Sequence, residues 1–200
     1  LGGSDSIAGN GGTDTVSYAR SSDAVVVNLG TSTTFNIAYF NREDGERIGN
    51  FIDANDTEFL TVAGGQAFDG FNTGSNSGGF FNNFDTLSGI ENVEGGDFND
   101  SMFGSFNVAN RLSGGAGNDF FTGGGGNSFV NDTFIGGDGF DQVNFAGQTP
   151  PNTGINVDLA RGLAFKGLGT DTLISIENVG GTSFADTLIG SDNKPYSGSF

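Results

Sequence analysis

The chain has no cysteine, no histidine and no tryptophan, and only 7 basic residues against 24 acidic ones. Without cysteine there is no disulfide, no thiolate nucleophile and no thiolate metal ligand. Without histidine the usual general base and the commonest zinc ligand are missing. The formal net charge of −17 gives a surface that repels nucleic acid and anionic membranes, so neither is expected as a partner. It also repels itself unless cations neutralise it. No apolar run approaches the roughly 20 residues of a membrane span, and no secretory signal opens the chain. Proline is scarce too, at 3 residues.

Glycine, asparagine and phenylalanine fill the space. There are 37 glycines and 21 phenylalanines in 200 residues, and 34% of the chain is hydrophobic. A disordered linker of this glycine content would lack that apolar supply, so a repeat with a core is the better reading. Residues 114–122 read G-G-A-G-N-D-F-F-T and residues 136–144 read G-G-D-G-F-D-Q-V-N. Both have the form G-G-x-G-x-D-x-U-x, with U a large apolar residue. Glycines allow a tight turn through backbone conformations closed to residues with a Cβ. Such a turn directs carbonyl oxygens inward and the Asp adds a carboxylate, a hard oxygen set of the kind that suits Ca2+. The last three positions are long enough only for a short strand, whose middle residue faces one side. That side is the core if U is always apolar.

The pattern resembles the RTX (haemolysin-type) calcium-binding repeat family. The resemblance implies an all-β fold: a parallel β-roll, or right-handed β-helix solenoid, in which two nonapeptides make one coil. It implies Ca2+ between the turns stacked on one edge. The expected metal residues are Asp5, Asp14, Asp100, Asp119, Asp132, Asp141 and Asp186. Gly12, Gly115, Gly117, Gly137 and Gly139 are the expected turn formers.

Along the chain, residues 1–8 are a nonapeptide lacking its first position, and residues 9–17 are the next one. The chain thus opens part-way through a repeat and is expected to be a fragment of a longer protein, forming one domain over residues 1–200. The pattern lapses at about residue 30 and returns at residue 85. Residues 95–103 are a degenerate turn, residues 104–113 carry Asn110 in place of Asp, and residues 123–135 are a stretched copy. The U slots hold Ile7, Val16, Met102, Leu112, Phe121, Phe134, Val143 and Leu188, all apolar. Phe98 and Phe184 replace the fourth-position glycine, and those turns are expected to bury the Phe. Asp100 and Asp186 are therefore weaker ligand candidates than Asp119 and Asp141.

A longer repeat overlies the short one. Residues 14–29 resemble residues 141–159, at an offset of 127, and residues 85–105 resemble residues 171–191, at an offset of 86. The difference of 41 residues predicts an insertion within residues 31–83. Its candidate strands lie at residues 35–40 and 58–62, and a β-hairpin on the flank of the roll is expected. The matched I-E-N-V segments offer Glu91, Asn92, Glu177 and Asn178 as further calcium ligands, or, the favoured expectation, place the two Glu in solvent and let the two Asn bond the backbone of the next coil. Residues 53–58, D-A-N-D-T-E, look like an EF-hand start. They lack a sixth-position Gly and have Gly64 where position twelve needs Glu, so no EF-hand is expected.

The function expected on this reading is structural calcium binding in an extracellular or cell-surface bacterial protein. The family implies export by type I secretion and folding in external calcium. The alternative is an adhesin-like module that binds a carbohydrate or another surface ligand through the 31–83 insertion. No catalytic residues are expected. Acidic pairs at glycosidase spacing come by chance in so acidic a chain. The parallel β-helix lyases and epimerases act on polyanions, which this surface would repel.

Overall fold

The computed structural model describes residues 4–30, 35–37, 60–69, 84–123, 130–146 and 153–191. Eighteen strands and no helix lie among them. In chain order they are β1 (Ser6–Ala8), β2 (Thr15–Ser17), β3 (Val26–Asn28), β4 (Phe35–Ile37), β5 (Leu60–Val62), β6 (Gln66–Phe68), β7 (Phe84–Ser88), β8 (Asn92–Glu94) and β9 (Ser101–Phe103). There follow β10 (Arg111–Ala116), β11 (Phe120–Thr122), β12 (Thr133–Asp138), β13 (Gln142–Asn144), β14 (Asn156–Asp158), β15 (Leu163–Phe165), β16 (Thr170–Ile174), β17 (Asn178–Gly180) and β18 (Thr187–Ile189). Most are three residues long, because a nonapeptide spends six residues on its turn.

Two eight-stranded sheets result, ordered β1-β7-β6-β3-β9-β11-β13-β17 and β18-β14-β15-β16-β12-β10-β8-β2. From β7 to β14 the chain alternates between the sheets at every step except within the segments described next. The U residues from both sheets form one core, with Phe121 of the first sheet and Phe134 of the second at a ring-centroid distance of 6.1 Å. Val16, Met102, Leu112, Phe121, Phe134 and Val143 are all buried, and Ile7 packs on the same cluster. Leu188, on the terminal strand of the second sheet, is 37% exposed.

The sheets are mixed, which corrects the expectation of purely parallel pairing. Pairing between stacked nonapeptides is parallel, as in β11 with β13 and β10 with β12. Two meanders are antiparallel: β3-β6-β7 in the first sheet and β14-β15-β16 in the second. A parallel return requires a crossover, whereas a short connection such as residues 159–162 permits only an antiparallel one.

The meanders divide the extra length of the first copy. Val26 and Asn156 hold matching register positions, as do Gln66 and Leu163, and Asp85 and Asp171. The offset between copies is therefore 130 at β3, 97 at β6 and 86 at β7. The extra length falls in two places, 33 residues before β6 and 11 after it. Between them β6 is an integral strand, the counterpart of β15. Strands β4 and β5 form the expected antiparallel hairpin. Val62 packs with Val26, Phe68 and Phe103 in a second apolar cluster, on the face of the first sheet turned away from the main core. Asn28 Nδ2 donates to the Val62 carbonyl at 3.0 Å. The EF-hand-like stretch 53–58 and most of the Gly/Phe/Asn-rich run 64–84 lie outside the described residues.

Candidate metal centre

Each turn is shaped by its glycines. Gly12, Gly115, Gly117, Gly137 and Gly139 all have positive φ, 114° at Gly115 and 120° at Gly137, a region that side chains disfavour. A Cβ on Gly137 would collide with the carbonyl oxygen of Gly115 in the turn stacked beneath it. The first glycine of the pattern has a different task. A Cβ on Gly114 would strike Asp119 Oδ2, and one on Gly136 would strike Asp141 Oδ2. The carboxylate folds back over its own turn, and only glycine leaves room for it.

The carboxylates stack into two ladders, one on each edge. On the first edge the Asp100 amide donates to Asp119 Oδ1 at 2.8 Å, and the Asp119 amide donates to Asp141 Oδ1 at 2.8 Å. The Asp141 amide donates to Glu177 Oε2 at 3.1 Å. On the other edge the Asn110 amide donates to Asp132 Oδ1 at 3.0 Å and the Asp132 amide to Asp171 Oδ1 at 2.8 Å. The same bond recurs from Asp5 to Asp85 and from Asp14 to Glu91, each at 2.9 Å. One oxygen of each acid thus orders the neighbouring turn, and the other decides what the turn can bind.

That second oxygen separates the sites. Asp100 Oδ2 accepts from the Gly96 amide while its Oδ1 accepts from the Val25 amide. Asp186 accepts through Oδ1 from Ile155 N and Thr182 Oγ1, and through Oδ2 from Thr182 N. Both carboxylates are satisfied within the chain, in the turns where Phe98 and Phe184 replace glycine. Oδ2 of Asp14, Asp119 and Asp171 is buried with no hydrogen-bond partner. Phe184 is 39% exposed and Phe98 half-buried, so the expectation that these turns bury the Phe is corrected. The carboxylate, held by the Gly96 or Thr182 amide, already occupies the inside of each turn.

Electrostatics follow the same division. Burial pushes Asp119 up to about 8, and its neighbours Asp100 and Asp141 add like-charge repulsion. Burial raises Asp100 to about 6, with the amides of Val25 and Gly96 opposing. Burial also raises Asp132 and brings Asp171 to about 7, with Lys166 pulling both down. At Asp186 the burial effect is outweighed by hydrogen bonds from Ile155 and Thr182, and the net shift is downward. An ionised carboxylate buried without a countercharge is costly, and a bound hard cation relieves that cost.

The two copies also differ in what faces the meander carboxylate, Asp85 in the first and Asp171 in the second. In the second, Lys166 Nζ lies 2.8 Å from Asp171 Oδ1 and 3.4 Å from Asp132 Oδ2, with all three residues buried. In the first, the register puts Asp69 where Lys166 stands. There the Tyr18 hydroxyl donates to Asp85 Oδ2 at 2.9 Å, and the second copy has Phe145 in place of Tyr18.

Of the acids expected from sequence, Asp119 and Asp141 come together on one edge and Asp132 stacks with Asn110 on the other. Asp14 heads its own turn, and Asp5 is exposed. Sequence reasoning missed Asp85 and Asp171 as ladder members, although each stands two residues before an apolar strand residue, Leu87 and Leu173, as the pattern requires. Glu91 and Glu177 are corrected: they occupy the Asp position of the ladder and accept backbone amides rather than facing solvent. Asn92 behaves as expected, its Oδ1 accepting from the Arg111 amide.

These residues fit a hard cation at the Asp119 turn. The donor set is carboxylate and carbonyl oxygen, one buried oxygen lacks a partner, and the surrounding charge is negative. Among the described residues no three Asp or Glu side chains come together so as to hold a metal ion by themselves. An ion there would take its remaining ligands from the backbone of the stacked turns.

No curated protein matches the chain. The RTX calcium-binding nonapeptide repeat matches it in four copies, over residues 1–24, 85–106 and 108–130. The repeat Gly136–Asn144 lies beyond the matched residues, yet it stacks on the matched Asp119 turn through the Asp119–Asp141 bond. Over those three stretches the chain is built of repeats similar to the RTX calcium-binding nonapeptide.

Proposed function

We propose that this chain is a calcium-dependent structural module of an extracellular bacterial protein, a scaffold of β-roll type rather than a catalyst. The observation that carries the reading is Asp119. Its carboxylate is buried between Asp100 and Asp141, one oxygen orders the neighbouring turn, and the other has no partner in the protein. A divalent cation at that oxygen turns a destabilising charge into a cross-link between stacked turns.

Calcium binding then becomes folding energy. In a cell, where free calcium is scarce, the acidic, glycine-rich chain stays unfolded and can be threaded through an export channel. In the millimolar calcium range typical of extracellular modules it folds. Chelator and calcium compared by circular dichroism test this. At neutral pH, chelator should give a largely disordered spectrum and a low Tm, calcium should give β signal and a much higher Tm, and equal signal and equal Tm in both would overturn the reading.

A further inference from the structure

We propose that the Lys166 ammonium is a resident cation on the second edge, standing where the first edge takes a metal ion, so that Asp132 is not a calcium ligand. The inference rests on the calcium reading of the Asp119 turn and departs from it at one place.

Geometry and charge carry it. Lys166 reaches both carboxylates of the Asp132–Asp171 step, at 3.4 and 2.8 Å, and is itself only 5% exposed. An ammonium has no lone pair to offer a metal, and its charge repels one. A divalent ion beside Asp132 would have to expel Lys166 from a buried pair, leaving an unpaired buried lysine. The composition of the two ladders agrees. The first edge stacks Asp100, Asp119, Asp141 and Glu177. The second replaces one acid by the neutral Asn110, whose amide group donates to the Glu91 carbonyl at 2.7 Å, and adds Lys166. The first copy sharpens the point, since Asp69 stands at the lysine position and cannot neutralise Asp85. The lysine is thus peculiar to the second meander, where Lys166 directly follows β15, and it makes the step from β12 to β16 independent of metal.

The experiment is calcium titration by calorimetry of the whole 200-residue chain, comparing wild type with Asp119→Asn, Asp132→Asn and Lys166→Met. Asparagine keeps the Oδ1 that accepts the neighbouring amide, so both Asp variants retain the ladder bond. Asp119→Asn should weaken calcium binding by about tenfold or more, through the lost ligand charge. Asp132→Asn should leave the number of ions and their affinities within about twofold of wild type. Lys166→Met should bind one further ion, since it bares the Asp132 and Asp171 carboxylates. If Lys166→Met does not fold, Lys166→Met with Asp171→Asn removes one charge of each sign, and should fold with the wild-type calcium count. Loss of an ion in Asp132→Asn, as in Asp119→Asn, would overturn the proposal while leaving the calcium reading intact. A wild-type chain that binds no calcium would instead overturn the reading on which it rests.

Discussion

The amide of Asp119 donates to Oδ1 of Asp141 at 2.8 Å, although 22 residues separate the two. This bond ties two turns of one edge, and the Asp119 side chain continues the ladder, its Oδ1 accepting from the Asp100 amide while its Oδ2 is buried without a partner. The same side chain is therefore a structural acceptor and a charge awaiting neutralisation.

Asp119→Asn should consequently have opposite effects in two conditions. Without calcium it removes a buried charge and keeps the Oδ1 acceptor, so it should raise Tm. With saturating calcium it removes a ligand and should lower Tm below that of wild type. Thermal scans in chelator and in excess calcium read both. A variant that is less stable in chelator would show that the ionised carboxylate already has a compensating partner.

The pH dependence of the calcium-free fold follows from the raised acids. Asp119 is pushed up to about 8 by burial, and Asp171 to about 7. An unfolded Asp titrates near about 3.9. Between those values the folded chain binds more protons than the unfolded one, so stability is full below about pH 4 and falls as pH rises toward 8. In chelator, Tm should rise as the solution is acidified from pH 8 to about pH 5. Calcium competes with those protons, so the Tm increment it gives should shrink over the same interval. A calcium-free protein more stable at pH 8 than at pH 5 would contradict the buried-carboxylate account.

What the sequence made legible was whatever repeats at nine residues. The U slots from Val16 to Val143 reached the core, and two nonapeptides per coil account for the stacking of Asp119 on Asp141 and of Asn110 on Asp132. What it hid lacked a local signature. Strands β6 and β15 are Gln-Ala-Phe and Leu-Ala-Phe, each offering the core a single alanine, Ala67 and Ala164. Three residues with so small an inward side chain give no apolar alternation to read. Asp85 and Asp171 lacked the glycine turn that marks the other acids. Lys166 is one lysine in an acidic chain, and only the stacking of β12 on β16 brings Asp132 and Asp171 to it.

Gly137→Ala tests the turn stacking. Its φ of 120° lies in the region unfavourable to side chains, and the new Cβ would collide with the Gly115 carbonyl. The conformational penalty alone is about 1–2 kcal/mol, and the backbone collision adds to it because a carbonyl in a stacked turn cannot swing away. Denaturant unfolding in saturating calcium should show a loss of at least that size. Gly11→Ala, at a glycine with negative-region geometry and no atom near its would-be Cβ, is the control and should cost far less. Equal costs would mean that the stacked carbonyl does not constrain the turn.

The last prediction concerns the long segment between β3 and β7. The second copy joins β14 to β16 through residues 159–169, which include β15. Replacing residues 30–83 with residues 160–169 therefore removes both stretches of extra length and also supplies a strand for the place of β6. The chimera should fold with calcium, because Ala164 of the transplanted strand matches Ala67 in the core. Its cost should be confined to the outer face, where Phe165 takes the place of Phe68 and Val26 and Phe103 lose the cover of Val62. Exposing a side chain of that size costs about 1.5–3 kcal/mol, so a lowered Tm with an unchanged β spectrum is expected. Joining residue 30 to residue 84 through a short glycine linker is the contrasting variant. It deletes β6, leaves β3 and β7 without their shared antiparallel neighbour, and removes Ala67 from the core. That deletion should not fold at any calcium concentration. A folded deletion with wild-type β content would show that β6 is dispensable and that the first sheet can close β3 directly on β7.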